Sequence, residues 1–157
     1  MEPKKKQEFK LLNVKDLEKN ERNIKYIAIH CAATKPSMTV DRERIKKWHL
    51  KRGFSDIGYH FYIRQDGSLE YGRPVYKSGA HVANYNSVSI GVCYEGGIDE
   101  GGEAFDTRTP QQKRTLIDLL TELKINYKEA IIQGHRDFKN VSKACPSFDA
   151  KTEYENL

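Results

Sequence analysis

The stretch that most constrains the fold is an almost continuous apolar run, VSIGVCY, at residues 88–94. A strand with one solvent-exposed face alternates apolar and polar residues, whereas an unbroken apolar run is typical of a strand buried on both faces. Such a strand lies inside a sheet that is covered on both sides. We therefore predict that residues 88–94 form a central strand in which Cys93 is buried.

Other segments supply partners for this strand. Their β-branched and aromatic content predicts strands at residues 24–30 and 58–64, and Asp66-Gly67 predicts a hairpin turn into a strand at residues 68–71. The remaining predicted elements are a helix at residues 41–52 with Thr39 as its N-cap, a helix from Thr109-Pro110 to Tyr127, and a strand from residue 130 to His135. Strands interleaved with helices in a chain of 157 residues predict a single α/β domain, with a central, mostly mixed β-sheet flanked by helices.

The N-terminal segment differs from the rest of the chain. Residues 1–22 are charged and weakly patterned, and we predict that they form an arm outside a domain at residues 23–157. Four apolar residues of this arm are predicted to form one short amphipathic turn that docks on the domain: Leu11, Leu12, Val14 and Leu17. The run from Lys4 to Lys6 is predicted to be a solvated tail rather than a binding site.

Composition excludes several classes of protein. No apolar run approaches the roughly 18–20 residues that a membrane-spanning helix needs. The net charge of +5 favours weak attraction to anionic polymers, which include nucleic acid and bacterial wall material. No nucleic-acid-binding motif is recognisable, so we expect no nucleic acid partner. Three cysteines without paired spacing argue against a disulfide framework and favour a reducing compartment or a metal role.

Two histidines stand at the ends of predicted strands, His30 after the first and His135 after the last. Cys145 follows in a loop that also carries Lys143, and imidazole and thiolate are both zinc ligands. Strand ends in α/β sheets are where sites gather, yet a lone strand-end histidine is more often structural. The two histidines are also more than a hundred residues apart. Spacing alone therefore leaves a metal site and a structural role open.

Alternation along the first predicted strand separates His30 from its neighbours. It places Ile29 and Cys31 on one face and His30 on the other. Cys31 cannot then face the same metal as His30, and we assign it to the core, where free cysteine is common. His49 and His60 are assigned no catalytic role.

Four blocks of the sequence resemble, in the same order, the phage lysozymes that are N-acetylmuramoyl-L-alanine amidases. That family shares its fold with peptidoglycan recognition proteins. The blocks are IHCAATKPS at residues 29–37, GYHF at 58–61, NSVSIGVC at 86–93 and KACPSFD at 143–149. The resemblance covers residues 24–149 and implies zinc-dependent hydrolysis of the amide bond between N-acetylmuramic acid and L-alanine in peptidoglycan.

The resemblance also implies roles for individual residues. The ligands that it implies for one zinc ion per chain are His30, His135 and Cys145. They leave the fourth coordination position to water, as in catalytic zinc sites. Lys143 and Tyr59 match the family's catalytic lysine and tyrosine, whose task is to stabilise the oxyanion or to position the water. His81 resembles the family's loop histidine near the metal. Contact with the substrate, support of a metal ligand and a plain surface position all stay open for it, and we assign it to substrate binding.

Three other functions remain open at this point: a non-catalytic peptidoglycan-recognition module, a thiol hydrolase in which Cys145 attacks with His135 as base, and a partner-binding role, because some phage amidases of this type inhibit a viral RNA polymerase. For the amidase we expect a monomer that acts on glycan-peptide and has no membrane partner. The first residues do not resemble a secretory signal. We therefore expect a protein that is cytoplasmic as synthesised and acts on the cell wall after release or export.

Overall fold

The computed structural model describes residues 8–157, which form a five-stranded sheet with helices packed against it. In chain order the elements are α1 (Val14–Lys19), β1 (Tyr26–Cys31), α2 (Arg42–Lys51), β2 (Phe61–Ile63), β3 (Leu69–Tyr71), β4 (Ser89–Tyr94), α3 (Pro110–Asn126), β5 (Ile131–Gly134) and α4 (Ala150–Glu153). Short 3-10 helices precede β4 at Asn86–Val88 and follow β5 at His135–Asp137. The predicted α/β fold class is confirmed.

Strand β4 is the middle strand of the sheet, whose order is β3-β2-β4-β1-β5. It pairs in parallel with β1 and with β2, and β1 pairs in parallel with β5. Strand β3 runs antiparallel to β2, so the sheet is mixed, and the hairpin predicted at Asp66-Gly67 joins these two strands. Every residue of β4 is buried, including Cys93. The central position predicted from the apolar run is therefore confirmed.

The two faces of the sheet carry different side chains from the same strand. Ile29 and Cys31 of β1 belong to the core cluster that contains Leu116 and Leu120 of α3. Ala28 belongs to a separate cluster on the opposite face. The assignment of Cys31 to the core is confirmed, and alternation places the buried His30 on the face away from α3.

The N-caps of the two long helices differ in how well the sequence predicts them. The side chain of Thr109 accepts the N–H of Gln112, and the side chain of Gln112 accepts the N–H of Thr109, so α3 begins with the predicted cap. Helix α2 is capped by Asp41, whose Oδ1 accepts the N–H of Arg44 at 2.9 Å. The prediction of Thr39 as the cap is wrong, because Thr39 lies two residues upstream and its hydroxyl cannot reach the N–H groups of the first turn.

The N-terminal segment packs on the domain. Leu12 is buried in the same core cluster as α3, and Leu11 and Leu17 pack against that cluster. The N–H of Leu11 also donates to the carboxylate of Glu122 in α3 at 3.0 Å. Docking is therefore confirmed for these three leucines. It is wrong for Val14, which is 43% exposed, because a helix of six residues turns only one face to the domain.

Three further sequence expectations concern a membrane-spanning helix, the run of lysines and the domain boundary. Among residues 8–157, no helix has both the length and the apolar character needed to cross a membrane. The run from Lys4 to Lys6, predicted to be a solvated tail, lies outside the described residues. The domain boundary after residue 22 stays a prediction.

Candidate metal centre and active site

Two neighbouring parallel strands bring the strand-end histidines together. Strands β1 and β5 pair with Ile29 opposite Gly134, so the next residues, His30 and His135, stand at the same edge of the sheet. Their ring centroids are 4.7 Å apart. Parallel pairing thus explains how two residues that are distant in sequence lie side by side where α/β sheets place their sites.

The loop after β5 is held so that Cys145 faces His30. The N–H of Arg136 donates to the carbonyl oxygen of Cys145 at 2.9 Å. The hydroxyl of Tyr94, at the end of β4, donates to the carbonyl oxygen of Pro146 at 2.5 Å. The Sγ atom of Cys145 then lies 3.9 Å from Nδ1 of His30. The loop is therefore anchored at the cysteine and at the residue that follows it.

The three predicted ligands form one cluster. A ligand atom from each of His30, His135 and Cys145 lies within 4.8 Å of the other two. Two imidazole nitrogens and one sulfur are a donor set that suits zinc, and three protein ligands leave one coordination position open. His30 is buried, whereas His135 and Cys145 are half-buried, so the cluster borders solvent. These residues can hold a metal ion, and their chemistry fits zinc.

The histidines of the cluster are in the protonation state that binds metal. Burial is the main reason that the pKa of His30 lies well below its usual value. Burial and then the charge of Lys143 lower the pKa of His135 to about 4, so both rings are neutral at pH 7. A hydrogen bond with the side chain of Cys31 and burial raise the pKa of the Cys145 thiol. A cation must therefore displace a proton from that sulfur as it binds.

Tyr59 and Lys143 lie beside the cluster. The ring centroid of Tyr59, just before β2, is 5.1 Å from that of His30. Burial raises the pKa of the Tyr59 hydroxyl, which keeps it protonated and able to donate. Lys143 is exposed, and its charge lowers the pKa of both His30 and His135. The charge of this lysine therefore reaches the cluster from the side that faces solvent.

His81 lies against one of the ligands. Its Nδ1 atom is 2.8 Å from Nε2 of His30, and the two ring centroids are 4.9 Å apart. Asn86 holds the backbone at this point, because its Oδ1 accepts the N–H of His81 at 2.8 Å and the N–H of Val82 at 2.9 Å. His81 therefore contacts His30, a predicted metal ligand, directly, and the substrate contact predicted for His81 stays a prediction.

Sequence reasoning missed two supports of the site. The backbone N–H of Cys31 donates to Sγ of Cys145 at 3.3 Å, although the Cys31 side chain points to the core. Alternation describes side chains only, so it gives no signal for a backbone donor. The Nδ1 atom of His49 accepts the N–H of Gly58 at 2.8 Å, which fixes the segment that carries Tyr59. His49, which was assigned no catalytic role, thus has a structural one.

Comparison with known proteins assigns the chain to a family. The family model described as N-acetylmuramoyl-L-alanine amidase matches residues 20–148. The chain belongs to this family. The endolysin of Klebsiella phage KP32 is 47% identical over 129 residues, which cover 82% of this chain and 84% of that protein. The predicted resemblance to phage amidases is therefore confirmed.

Solved structures agree with this assignment. The endolysin N-acetylmuramoyl-L-alanine amidase LysCS from Clostridium intestinale URNW has a TM-score of 0.71 and 32% sequence identity, and the match covers 84% of this chain and 80% of that chain. Drosophila PGRP-LB has a TM-score of 0.70 at 23% identity, covers 88% of this chain and 83% of that chain, and shows the shared fold alone. The chain is an amidase that hydrolyses the amide bond between N-acetylmuramic acid and L-alanine in peptidoglycan.

Proposed function

We propose that the amidase is a zinc hydrolase in which His30, His135 and Cys145 hold one zinc ion. The convergence of these three side chains at one edge of the sheet is the observation that carries the proposal. Zinc, when bound, supplies a Lewis acid that polarises a carbonyl and acidifies water. The neutral state of both imidazoles at pH 7 supports this role, because a protonated ring cannot act as a ligand.

Lys143 stabilises the negative charge that develops on the scissile carbonyl oxygen. The residue is exposed two positions before Cys145, so its ammonium group can approach the substrate. A cation near a developing oxyanion stabilises it more strongly once the bound substrate has displaced water from the site. Tyr59 keeps its proton and donates a hydrogen bond that stabilises the same oxygen or positions the attacking water.

The reaction adds water across one amide bond. The hydroxyl part of water joins the carbonyl carbon of the lactyl group, the carbon–nitrogen bond breaks, and the nitrogen of L-alanine gains a proton. The products are a carboxylate on the sugar and a free amino terminus on the stem peptide. The amidase does this as a monomer on the glycan-peptide of the cell wall, after synthesis in the cytoplasm and release or export. The endolysin relatives support the cell wall as its place of action.

The surroundings of Cys145 favour a metal ligand over a nucleophile. A nucleophilic cysteine needs a lowered pKa, whereas the contact with Cys31 and burial raise the pKa of this thiol. His135 is a poor partner for a thiolate as well, because its lowered pKa prevents it from holding the proton. A zinc ion supplies the positive charge that this sulfur otherwise lacks.

Release of new L-alanine amino termini from purified peptidoglycan tests the proposal. We expect a zinc chelator to abolish release and added zinc to restore it. Cys145→Ala should lose the bound zinc and the release together. Cys93→Ala, the matched change at a buried cysteine outside the cluster, should retain zinc.

The other outcomes separate the alternatives. Release that survives the chelator but not thiol alkylation would establish the thiol hydrolase. Zinc-loaded protein that binds peptidoglycan without releasing any amine would establish a recognition module. Normal zinc content in Cys145→Ala would contradict the ligand assignment.

A further inference from the structure

We propose that His81 is a positioning residue of the metal centre: it fixes the ring of His30 so that Nδ1 is free to bind the metal. The inference rests on the proposed zinc site and adds a residue to its support. It starts from the 2.8 Å distance between Nδ1 of His81 and Nε2 of His30. Metal-binding histidines in proteins donate their second ring N–H to a neighbouring acceptor, which sets the tautomer and the ring orientation.

The hydrogen-bond network specifies which nitrogen of each ring carries the proton. Nδ1 of His30 lies on the side of Cys145, 3.9 Å from its Sγ, so this nitrogen is the one that must be unprotonated for metal binding. Nε2 of His30 then carries the proton and donates it to Nδ1 of His81. The remaining proton of His81 is on Nε2, which lies 3.3 Å from Oγ of Ser89. One consistent set of tautomers therefore runs from the cluster through His81 to Ser89.

Two glycines make room for the His81 ring. A Cβ atom at Gly91 of β4 would lie 2.8 Å from Cγ of that ring, and a Cβ atom at Gly79 would lie 2.7 Å from its Cδ2. Both distances are too short for a real side chain. The imidazole thus lies directly against the backbone of the central strand, and no residue larger than glycine fits at positions 79 and 91. Close packing of this kind fixes the orientation of the ring.

Arg22, in the N-terminal segment, links the two ends of the loop that carries His81. The guanidinium of Arg22 donates to the carbonyl oxygens of Val75 at 2.6 Å, Asn86 at 3.1 Å and Ser89 at 2.9 Å. Hydrogen bonds from a charged donor are stronger than those between neutral groups. Because Val75 and Ser89 lie on either side of His81, Arg22 ties the two ends of its loop together. The position of His81 is therefore fixed from outside the site.

Both ring nitrogens of His81 are occupied in this arrangement. Nδ1 faces His30 and Nε2 faces Ser89, so neither is left to contact a substrate. This separates a positioning role from the substrate-binding role predicted from the sequence. The two roles also differ in two measurable quantities. A positioning role of His81 affects the affinity for zinc and the tautomer of His30, whereas a substrate contact affects neither.

Zinc affinity of the intact protein, measured by competition with a chelating indicator, tests the proposal. His81→Ala removes the acceptor and should weaken zinc binding by about 10–100-fold. His81→Asn should recover most of the lost affinity. Its Oδ1 is also an acceptor, and it is separated from Cα by the same number of bonds as Nδ1 of histidine. Ser87→Ala, a change at an exposed side chain of the same loop, should leave zinc affinity unchanged.

Nitrogen-15 NMR of the histidine rings in the metal-free wild-type protein supplies the second test and needs no variant to fold. We expect His30 to carry its proton on Nε2. A proton on Nδ1 would overturn the proposal, as would wild-type zinc affinity in His81→Ala. Unchanged affinity with a raised KM for peptidoglycan would instead establish a substrate contact. If the wild-type protein bound no zinc, the proposed function would fail, whereas the tautomer would still decide the role of His81.

Discussion

The residues of the site fall into two groups that differ in exposure. His30 is only 1% exposed, whereas Lys143 is exposed two residues before Cys145. Ligands that are buried or half-buried suit a metal that must stay bound, and a cation exposed at the rim suits a group that meets the substrate only during the reaction. Substitutions in the two groups should therefore affect zinc binding and turnover separately.

Lys143→Ala should keep the metal and lose turnover. The change removes the cation that stabilises the oxyanion, and loss of one such group costs about 10²–10³-fold in kcat. The metal ligands remain, so zinc content per chain should equal that of the wild-type protein. Steady-state release of amino termini and zinc analysis on the same preparation check both expectations.

A second lysine of the same loop provides the control for this prediction. Lys139 is also exposed and lies four residues before Lys143, so Lys139→Ala removes the same charge from the protein without changing a residue of the cluster. We expect its turnover to match the wild-type value. Equal turnover in the two variants would remove Lys143 from the mechanism.

The last helix of the chain is attached to the cysteine loop through Arg108. This side chain is 1% exposed, its guanidinium carbon lies 3.3 Å from the ring centroid of Phe148, and it donates to Glu153 of α4 at 2.7 Å and 2.8 Å. Phe148 follows Cys145 by three residues. Helix α4 and the loop of Cys145 are thus held by one buried cation, which combines ion pairing with stacking on an aromatic ring.

Glu153→Gln should weaken this attachment in a pH-dependent way. The hydrogen bond from Arg108 lowers the pKa of Glu153 in the folded state. A lowered pKa adds stability above the unfolded value of about 4.3, and that stability is lost as the pH falls through the folded value. Because the carboxylate side chain is 44% exposed, we expect a loss of about 1 kcal/mol at pH 7.

Urea denaturation as a function of pH checks this expectation. The difference in free energy of unfolding between the wild-type protein and Glu153→Gln should narrow as the pH is lowered below about 4.3. Glu155→Gln, a change on the exposed neighbour, is the matched control and should have a much smaller effect at pH 7. A difference for Glu153→Gln that stays constant with pH would show that the ion pair does not stabilise the fold.

The N-terminal segment contributes to the stability of the whole chain. Leu12 is 6% exposed in the main core cluster, and Glu122 of α3 accepts the N–H groups of Leu11 and Leu12. Arg22 then joins this segment to the loop of His81. These contacts connect residues that the sequence assigns to an arm with both the core and the site.

Leu12→Ala should destabilise the entire protein rather than the segment alone. Removing a buried leucine side chain costs about 2–3 kcal/mol through lost burial and the cavity left behind. Val14→Ala, at an exposed position of the same segment, should cost less than about 0.5 kcal/mol. Free energies of unfolding from urea titration of both variants give the comparison. If Leu12→Ala and Val14→Ala had the same free energy of unfolding, the segment would be an independent arm.

Local sequence patterns anticipated most of the elements, with errors at their ends. The apolar run of β4, the Asp66-Gly67 turn and the Thr109 cap each depend on residues close in sequence, so their signal is local. The strand predicted at residues 58–64 shortens to Phe61–Ile63, because the N–H of Gly58 bonds to a histidine side chain instead of another strand. Helix α4 was not predicted, since four residues carry too little periodicity.

The sequence alone specified the α/β fold class, the central strand and, through family resemblance, the candidate metal ligands and the reaction. These follow from residue types and order, which a chain carries before it folds. The position of His81 against His30, the backbone bond from Cys31 to Cys145 and the closure of a loop by Arg22 became known only from the folded structure. Each joins residues from separate segments of the chain, and such contacts depend on strand pairing and packing that no local pattern encodes.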